Sequence, residues 1–144
     1  MTVARRRPLL PAPTPTALSA GFWKAAAEGR LVIQRCDECG AHRHIPTAAC
    51  YRCQSLAWWW DPVEGRGHVF SYTWANHPVH PALAELGVYN VAVVELEGTE
   101  GDPVRLVTWI EGVTQETLRI GLPVEVLFER IDDEIGLPLF RPRP

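Results

Sequence analysis

Apolar residues in this chain come in short runs broken by turn formers, and the runs change character at Gly65-Arg66-Gly67. Ahead of that boundary, Ser19 is placed to cap a helix through Ala27 built on Phe22, Trp23 and an alanine run. Gly29 stands where a left-handed residue would end it. Leu31–Cys36 reads as a strand, Arg43-His44-Ile45-Pro46 as a return path, and Leu56–Val63 as an aromatic strand leaving this first unit. Trp58, Trp59 and Trp60 cannot all face one side of a strand, so at least one must pack against the following unit or another chain.

Beyond the boundary the pattern is that of a sheet. In His68–Trp74, Phe70, Tyr72 and Trp74 alternate with small or β-branched residues. Tyr89–Leu96 is apolar on both faces, as a covered central strand would be. Val104–Ile110 and Val124–Phe128 supply two further strands, separated by Thr114–Leu118, which reads as one helical turn capped by Thr114. Thr117 stands where a full capping box would place Glu or Gln. Leu137–Phe140 closes the series as a short edge strand, since proline is confined to edges. Five short strands with one helical turn before the fourth fit a mainly β fold, a Greek-key barrel of the OB type; other small barrels or sandwiches are the alternative.

Composition changes this picture little. The 144 residues include thirteen prolines and eleven glycines, which favour short elements and turns over long helices. No run of about 18 apolar residues exists to cross a membrane. Residues 1–15 hold three arginines and prolines at 8, 11, 13 and 15, which interrupt any export-signal helix and read as a flexible, partly polyproline-like arm. The resulting division is an arm over 1–15, a helix and small metal module over 16–64, and a barrel over 65–144.

Charge is informative by its placement. Residues 85–134 hold twelve acids against three bases, a net of −9 within a chain of net charge −3. An acidic barrel repels a phosphate backbone, which argues against the nucleic-acid binding that OB folds otherwise suggest.

The chemistry concentrates in four cysteines, the only ones in the chain: Cys36-Asp-Glu-Cys39 and Cys50-Tyr-Arg-Cys53, separated by ten residues. Two such hooks present four thiolates to one tetrahedral ion and leave no open coordination position, so the expected site is structural. Zinc is favoured, with iron in the same four-sulfur cage the alternative. Such a site also fits a reducing cytoplasm better than disulfides do. His42 and His44 lie nearby and read as surface residues or as residues behind the ligands. His68, His77 and His80, with Tyr72, Tyr89 and Asp61, show no spacing of a catalytic dyad or triad.

The order of these features resembles the DUF35 family of small zinc-ribbon and OB-fold proteins. The resemblance covers Phe22 to Pro142 and rests on Phe22-Trp23, Gln34-Arg35-Cys36-Asp37-Glu38-Cys39-Gly40, Cys50 and Cys53. It continues through Gly65-Arg66-Gly67-His68-Val69, Glu95-Leu96, Ile120-Gly121 and Leu139-Phe140-Arg141. The chain departs from the pattern at Asn76–Gly87, longer and richer in His and Pro than the first OB loop of the family.

The resemblance implies a partner: thiolase-fold enzymes or hotdog-type hydratases acting on coenzyme A thioesters, with one branch serving retro-aldol cleavage of steroid side chains. On this reading the chain is a non-catalytic accessory subunit of a thiolase-like lyase. Trp58, Trp59, Trp60, His77 and His80 are then candidates for the partner interface, since aromatics dominate desolvated interface centres. The competing reading is an acyl-CoA-binding module, for which Arg43, Arg52 and Arg66 form the local cationic set. A second is a single-stranded nucleic-acid binder stacking bases on Phe70, Tyr72 and Trp74.

Overall fold

The computed structural model describes residues 11–144, so the expected arm lies outside the described residues up to position 10, and 11–15 carry no regular structure. Helix α1 spans Ala20–Ala27. Ser19 occupies its N-cap position, but the hydroxyl turns backward to accept the Thr16 N–H at 2.9 Å and makes no cap bond to the helix. The far end follows expectation. Gly29 is left-handed (φ 78°), Arg30 N–H reaches Ala25 O and Gly29 N–H reaches Ala26 O, the paired bonds of a Schellman ending.

Three strands follow as one antiparallel sheet in the order β2-β1-β3: β1 (Leu31–Cys36), β2 (His42–Arg43) and β3 (Trp58–Val63). The tryptophan strand does not simply leave this unit; it pairs with β1 along six residues, from Leu31–Val63 to Cys36–Trp58. The second sheet contains β4 (Arg66–Ala75), β5 (Tyr89–Leu96), β6 (Arg105–Thr108), β7 (Pro123–Arg130) and β8 (Gly136–Pro142), ordered β6-β5-β4-β7-β8. A bulge between Val69 and Ser71 bends β4 and helps the sheet curl. The curl closes at a parallel bridge between Ile110 and Phe140, with Phe140 N–H bonded to Trp109 O at 3.1 Å and Glu111 N–H to Phe140 O at 2.7 Å. This is the five-stranded arrangement of an OB-type barrel.

The larger apolar cluster among the described residues spans both units. Val69, Val94, Leu106, Ile110, Val124 and Phe140 come from the barrel, and Phe22, Ala26, Leu31 and Ile33 from α1 and β1. The base of the small sheet is therefore part of the barrel core. Close packing sets two glycines: a Cβ on Gly136 of β8 would strike the backbone of Ala26 and Ala27, and one on Gly21 would strike the Trp60 indole.

Three expectations need adjustment. β5 is central, but its faces are covered unequally: Asn90, Ala92, Val94 and Leu96 are buried on one, whereas on the other Tyr89 is buried, Val93 half-buried and Val91 exposed. Thr114–Leu118 is the single helical turn expected, closed by Leu118 N–H to Thr114 O at 3.0 Å, but its capping is not partial: Thr117 Oγ1 accepts the Thr114 N–H at 2.8 Å, the reach-back expected of a Glu or Gln. Within 76–87, Pro81–Leu86 forms a 3-10 helix whose buried Leu83 anchors it. Among the described residues no helix is long and apolar enough to cross a membrane.

Candidate metal centre and interaction surfaces

Cys36 ends β1, and a turn carries Cys39 back beneath it, with Gly40 N–H bonded to Cys36 O at 3.1 Å. Cys50 and Cys53 form the second knuckle, closed by the Gln54 N–H to Cys50 O bond at 2.9 Å. The four Sγ atoms lie within 4.8 Å of one another. The nearest pairs, Cys36–Cys53 at 3.5 Å and Cys39–Cys50 at 3.7 Å, are far longer than the ~2.05 Å of a disulfide. Backbone N–H groups also point at sulfur, as from Arg52 to Cys50 Sγ at 3.4 Å.

The acidities show why a cation belongs here. The Cys39 backbone N–H is the largest influence on Cys36 and, against burial, holds that thiol down to about 6. For Cys53 the Ser55 N–H lowers the value, but the Cys36 thiol, burial and the other two cysteines together push it up to about 11. Four sulfurs this close cannot all ionise unless a positive ion sits between them. The donor set fits a structural zinc.

The unit is latched to the barrel by a residue that sequence reasoning had placed at the surface or behind the ligands. His42 is 2% exposed. Its Nδ1 accepts the Glu100 backbone N–H at 2.8 Å, which leaves the ring proton on Nε2 to donate to Asp61 Oδ2 at 2.8 Å. The His42 backbone N–H donates to Glu100 O, so the pair is bound twice. Arg35 adds an ion pair to the same Asp61 oxygen at 3.1 Å. Beside it, Tyr51 Oη accepts the Asp102 N–H at 2.8 Å and lies so close to Gly101 that no Cβ would fit there. The lone acid of the tryptophan strand, Asp61, was the available signal.

The tryptophans divide as strand parity requires. Trp58 and Trp60 share one face as an edge-on pair with ring centres 5.0 Å apart, and Trp60 packs against the core. Trp59 points the other way, 43% exposed, with the Arg35 guanidinium 5.9 Å from its ring centre. His77 is exposed, whereas His80 caps the 3-10 helix by accepting the Ala82 N–H at 3.1 Å. The candidate cations are also unlike one another. Arg52 and Arg66 are exposed, the latter 3.6 Å from Glu64. Arg43 is 5% exposed, its Nη2 donating to Thr47 O at 3.0 Å, while Nε and Nη1 have no hydrogen-bond partner among the described residues. A solvent-facing mouth of all three arginines is therefore not what the fold presents.

Residues 23–58 match the model described as ChsH2, rubredoxin-like zinc ribbon domain, and residues 60–129 the model of the ChsH2 C-terminal OB-fold domain. The solved Ltp2-ChsH2(DUF35) aldolase contains a chain 40% identical to this one, with a TM-score of 0.78. The alignment covers 90% of the present chain and 98% of that one. The chain belongs to the DUF35 family. A DUF35 protein of unknown function from Sulfolobus solfataricus shares the fold at 13% identity and a TM-score of 0.58, over 88% of this chain and 86% of its own.

Two curated proteins are also similar to this DUF35 chain. A probable enoyl-CoA hydratase alpha subunit from Thermomonospora curvata is 43% identical over 98% of this chain and 42% of its own length. The 3-oxo-4,17-pregnadiene-20-carboxyl-CoA hydratase alpha subunit of Mycobacterium tuberculosis is 33% identical over 76% of this chain and 33% of its own. The chain thus spans less than half the length of the curated relatives it matches.

Proposed function

We propose that this DUF35 chain is a non-catalytic accessory subunit that docks on a thiolase-like aldolase acting on CoA thioesters and raises its activity. The observation that carries the reading is the near-complete match to the chain of the Ltp2-ChsH2(DUF35) aldolase, at 40% identity over 98% of that chain. Retro-aldol cleavage of a steroid side chain is the reaction we favour, since one relative is named for a steroid-derived CoA thioester.

The residues support an assisting role. Cys36, Cys39, Cys50 and Cys53 are proposed to hold one zinc with every coordination position closed, which leaves the ion no place for substrate. The metal would supply fold stability alone. His42, the most buried histidine of the ribbon, has both ring nitrogens committed to the latch. Helix and ribbon over 16–64 would act with the barrel over 65–144 as one rigid docking body, since they share a core.

Among the tryptophans, Trp59 is the interface anchor we favour, because Trp58 and Trp60 are already engaged with each other. His77 on its exposed loop, and His80 behind it, would reach a partner less deeply. An acyl-CoA headgroup site would have only Arg52 and Arg66 at the surface. A hydratase-type partner is the second reading, favoured by the two alpha-subunit relatives.

Co-expression with a thiolase-like enzyme and, separately, with a hotdog-type hydratase tests these readings. A stable complex with the first, and aldolase activity that the enzyme lacks alone, is the expected result. A thiolase-like enzyme fully active without this chain, or assembly with the hydratase only, overturns it.

A further inference from the structure

The two faces of the β7–β8 pair have different surroundings. Phe128 and Phe140 point into the barrel cluster. Leu127 and Leu139, opposite one another across the strands, point the other way by strand parity. They are nevertheless buried, at 4% and 6% exposure, and belong to neither apolar cluster of the described residues. On the same face Glu125 is paired with Arg141 at 3.1 Å, and Glu129 is 2% exposed. A leucine pair thus lies between an ion pair and a buried carboxylate, on a face that the barrel core does not account for.

A groove of about 440 Å³ lies on this face. Leu127, Leu139 and Pro142 wall it, and Glu111, Glu129 and Arg141 are its charged groups. Its one cation is committed to Glu125, and its other two charges are carboxylates. Burying a carboxylate is costly unless a cation and hydrogen bonds accompany it. The occupant that fits therefore brings positive charge together with apolar side chains. Residues 1–10 carry both: Arg5, Arg6 and Arg7 are followed by Pro8, Leu9 and Leu10, with no acid among the ten. Their reach is sufficient. Thr16 is hydrogen-bonded to Ser19, and Ser19 lines a second hollow together with Leu139, which also lines the groove. From Thr16 back to Arg7 an extended chain spans up to about 30 Å.

We propose that this groove is the docking site of the chain's own residues 1–10, with Arg5–Arg7 set against the carboxylates of Glu111 and Glu129 and Leu9-Leu10 set over the Leu127–Leu139 pair. Arginine suits the task because its planar fork meets a carboxylate with two parallel hydrogen bonds. The leucines supply the apolar cover that Leu127 and Leu139 need on a face turned away from the core. The inference concerns the chain on its own and is independent of the accessory-subunit reading.

The test uses the full chain with labelled methyl groups, read by nuclear Overhauser cross-peaks. Cross-peaks from Leu9 or Leu10 to Leu127 or Leu139 are expected, with relative intensities unchanged on dilution. Replacing Arg5, Arg6 and Arg7 together by Gln should abolish them, while the cross-peak between Val94 and Leu106, neighbours in the core, persists. Trypsin gives a second reading, because cleavage after Arg5 and Arg6 requires the segment to leave the groove. That cleavage should be at least tenfold faster in Glu111→Gln and in Glu129→Gln than in the unaltered chain, with the Val94–Leu106 cross-peak retained to show that each variant is folded. Absence of the leucine cross-peaks, their survival after the arginine changes, or equal cleavage rates in folded variants overturns the proposal. So do cross-peaks seen only between differently labelled copies in a mixed sample, which would give the groove to the same segment of a second copy.

Discussion

Ribbon and barrel bury different things. Of the five polar or charged side chains buried among the described residues, Gln34, His42 and Arg43 lie in the ribbon. The apolar cluster of the upper ribbon consists of Cys36, Ala41 and Cys50, with Cys39 against it. The barrel cluster instead packs valine, leucine, isoleucine and phenylalanine from every strand. A body with so little apolar material relies on its metal and on oriented hydrogen bonds, both of which fail abruptly when one member is lost. The barrel depends on many small contacts, each replaceable at moderate cost. The dividing line does not follow chain order, because Leu31 and Ile33 at the base of β1 belong to the barrel cluster.

Metal removal would separate the two halves most sharply. Structural zinc contributes on the order of 10–16 kcal/mol of apparent binding free energy. Chelation or Cys36→Ala should therefore abolish amide protection across 36–57, measured by hydrogen exchange, while 31–33 and the barrel strands keep theirs. One zinc per chain by elemental analysis is expected in the untreated protein. Uniform loss of protection through β5 and β7 would break the distinction.

Phe140→Ala is the matching perturbation of the barrel. Truncating a fully buried phenylalanine costs about 3–5 kcal/mol, here at the residue where the barrel closes. Chemical denaturation should register that loss with the zinc still bound, if the metal cage is independent of the closure.

Acid sharpens the contrast at its boundary. His44 titrates near its ordinary value in the unfolded chain and near 4 in the folded one, because burial disfavours the charged ring. Between those values the unfolded state binds more protons, so stability falls as pH drops from about 6.5 towards 4, with a slope of up to about 1.4 kcal/mol per pH unit. His44→Phe should flatten that segment of the stability curve, which thermal melts at stepped pH would measure.

His42→Ala tests the latch. It removes two side-chain hydrogen bonds and should cost about 2 kcal/mol, raising exchange at the Glu100 amide while the barrel strands remain protected.

The smallest expected effect on folding is at Trp59. Trp59→Ala should change stability by less than about 1 kcal/mol, since the ring is half out in solvent, yet weaken assembly with the partner enzyme by about 2 kcal/mol if it is an interface hot spot. Trp60→Ala should show the reverse balance. Equal effects of the two on assembly, measured by calorimetry, would remove the distinction between faces of β3.

Much of this architecture was legible because it is encoded locally. The Gly29 ending, the six residues of β1, both cysteine knuckles and the edge placement of Pro138 each follow from one residue type in one conformation. The latch was not legible, because its other half is the backbone of Glu100, 58 residues away, and a carbonyl or N–H carries no sequence signature. Arg43 misled for a related reason: a surface residue type sits on a two-residue strand that the return loop covers. The half-covered face of β5 escaped because valine suits a strand whether or not anything packs on it.

The contact between α1 and β8 bears on how the chain is made. Residues 20–27 are translated well ahead of the surface that receives Ala26 and Ala27, which includes Gly136, more than a hundred residues further along the chain. At about 5–20 residues per second, the nascent helix waits for seconds without its docking site. An eight-residue helix does not hold its shape unaided over that time. Helix α1 would then settle later than strands translated after it.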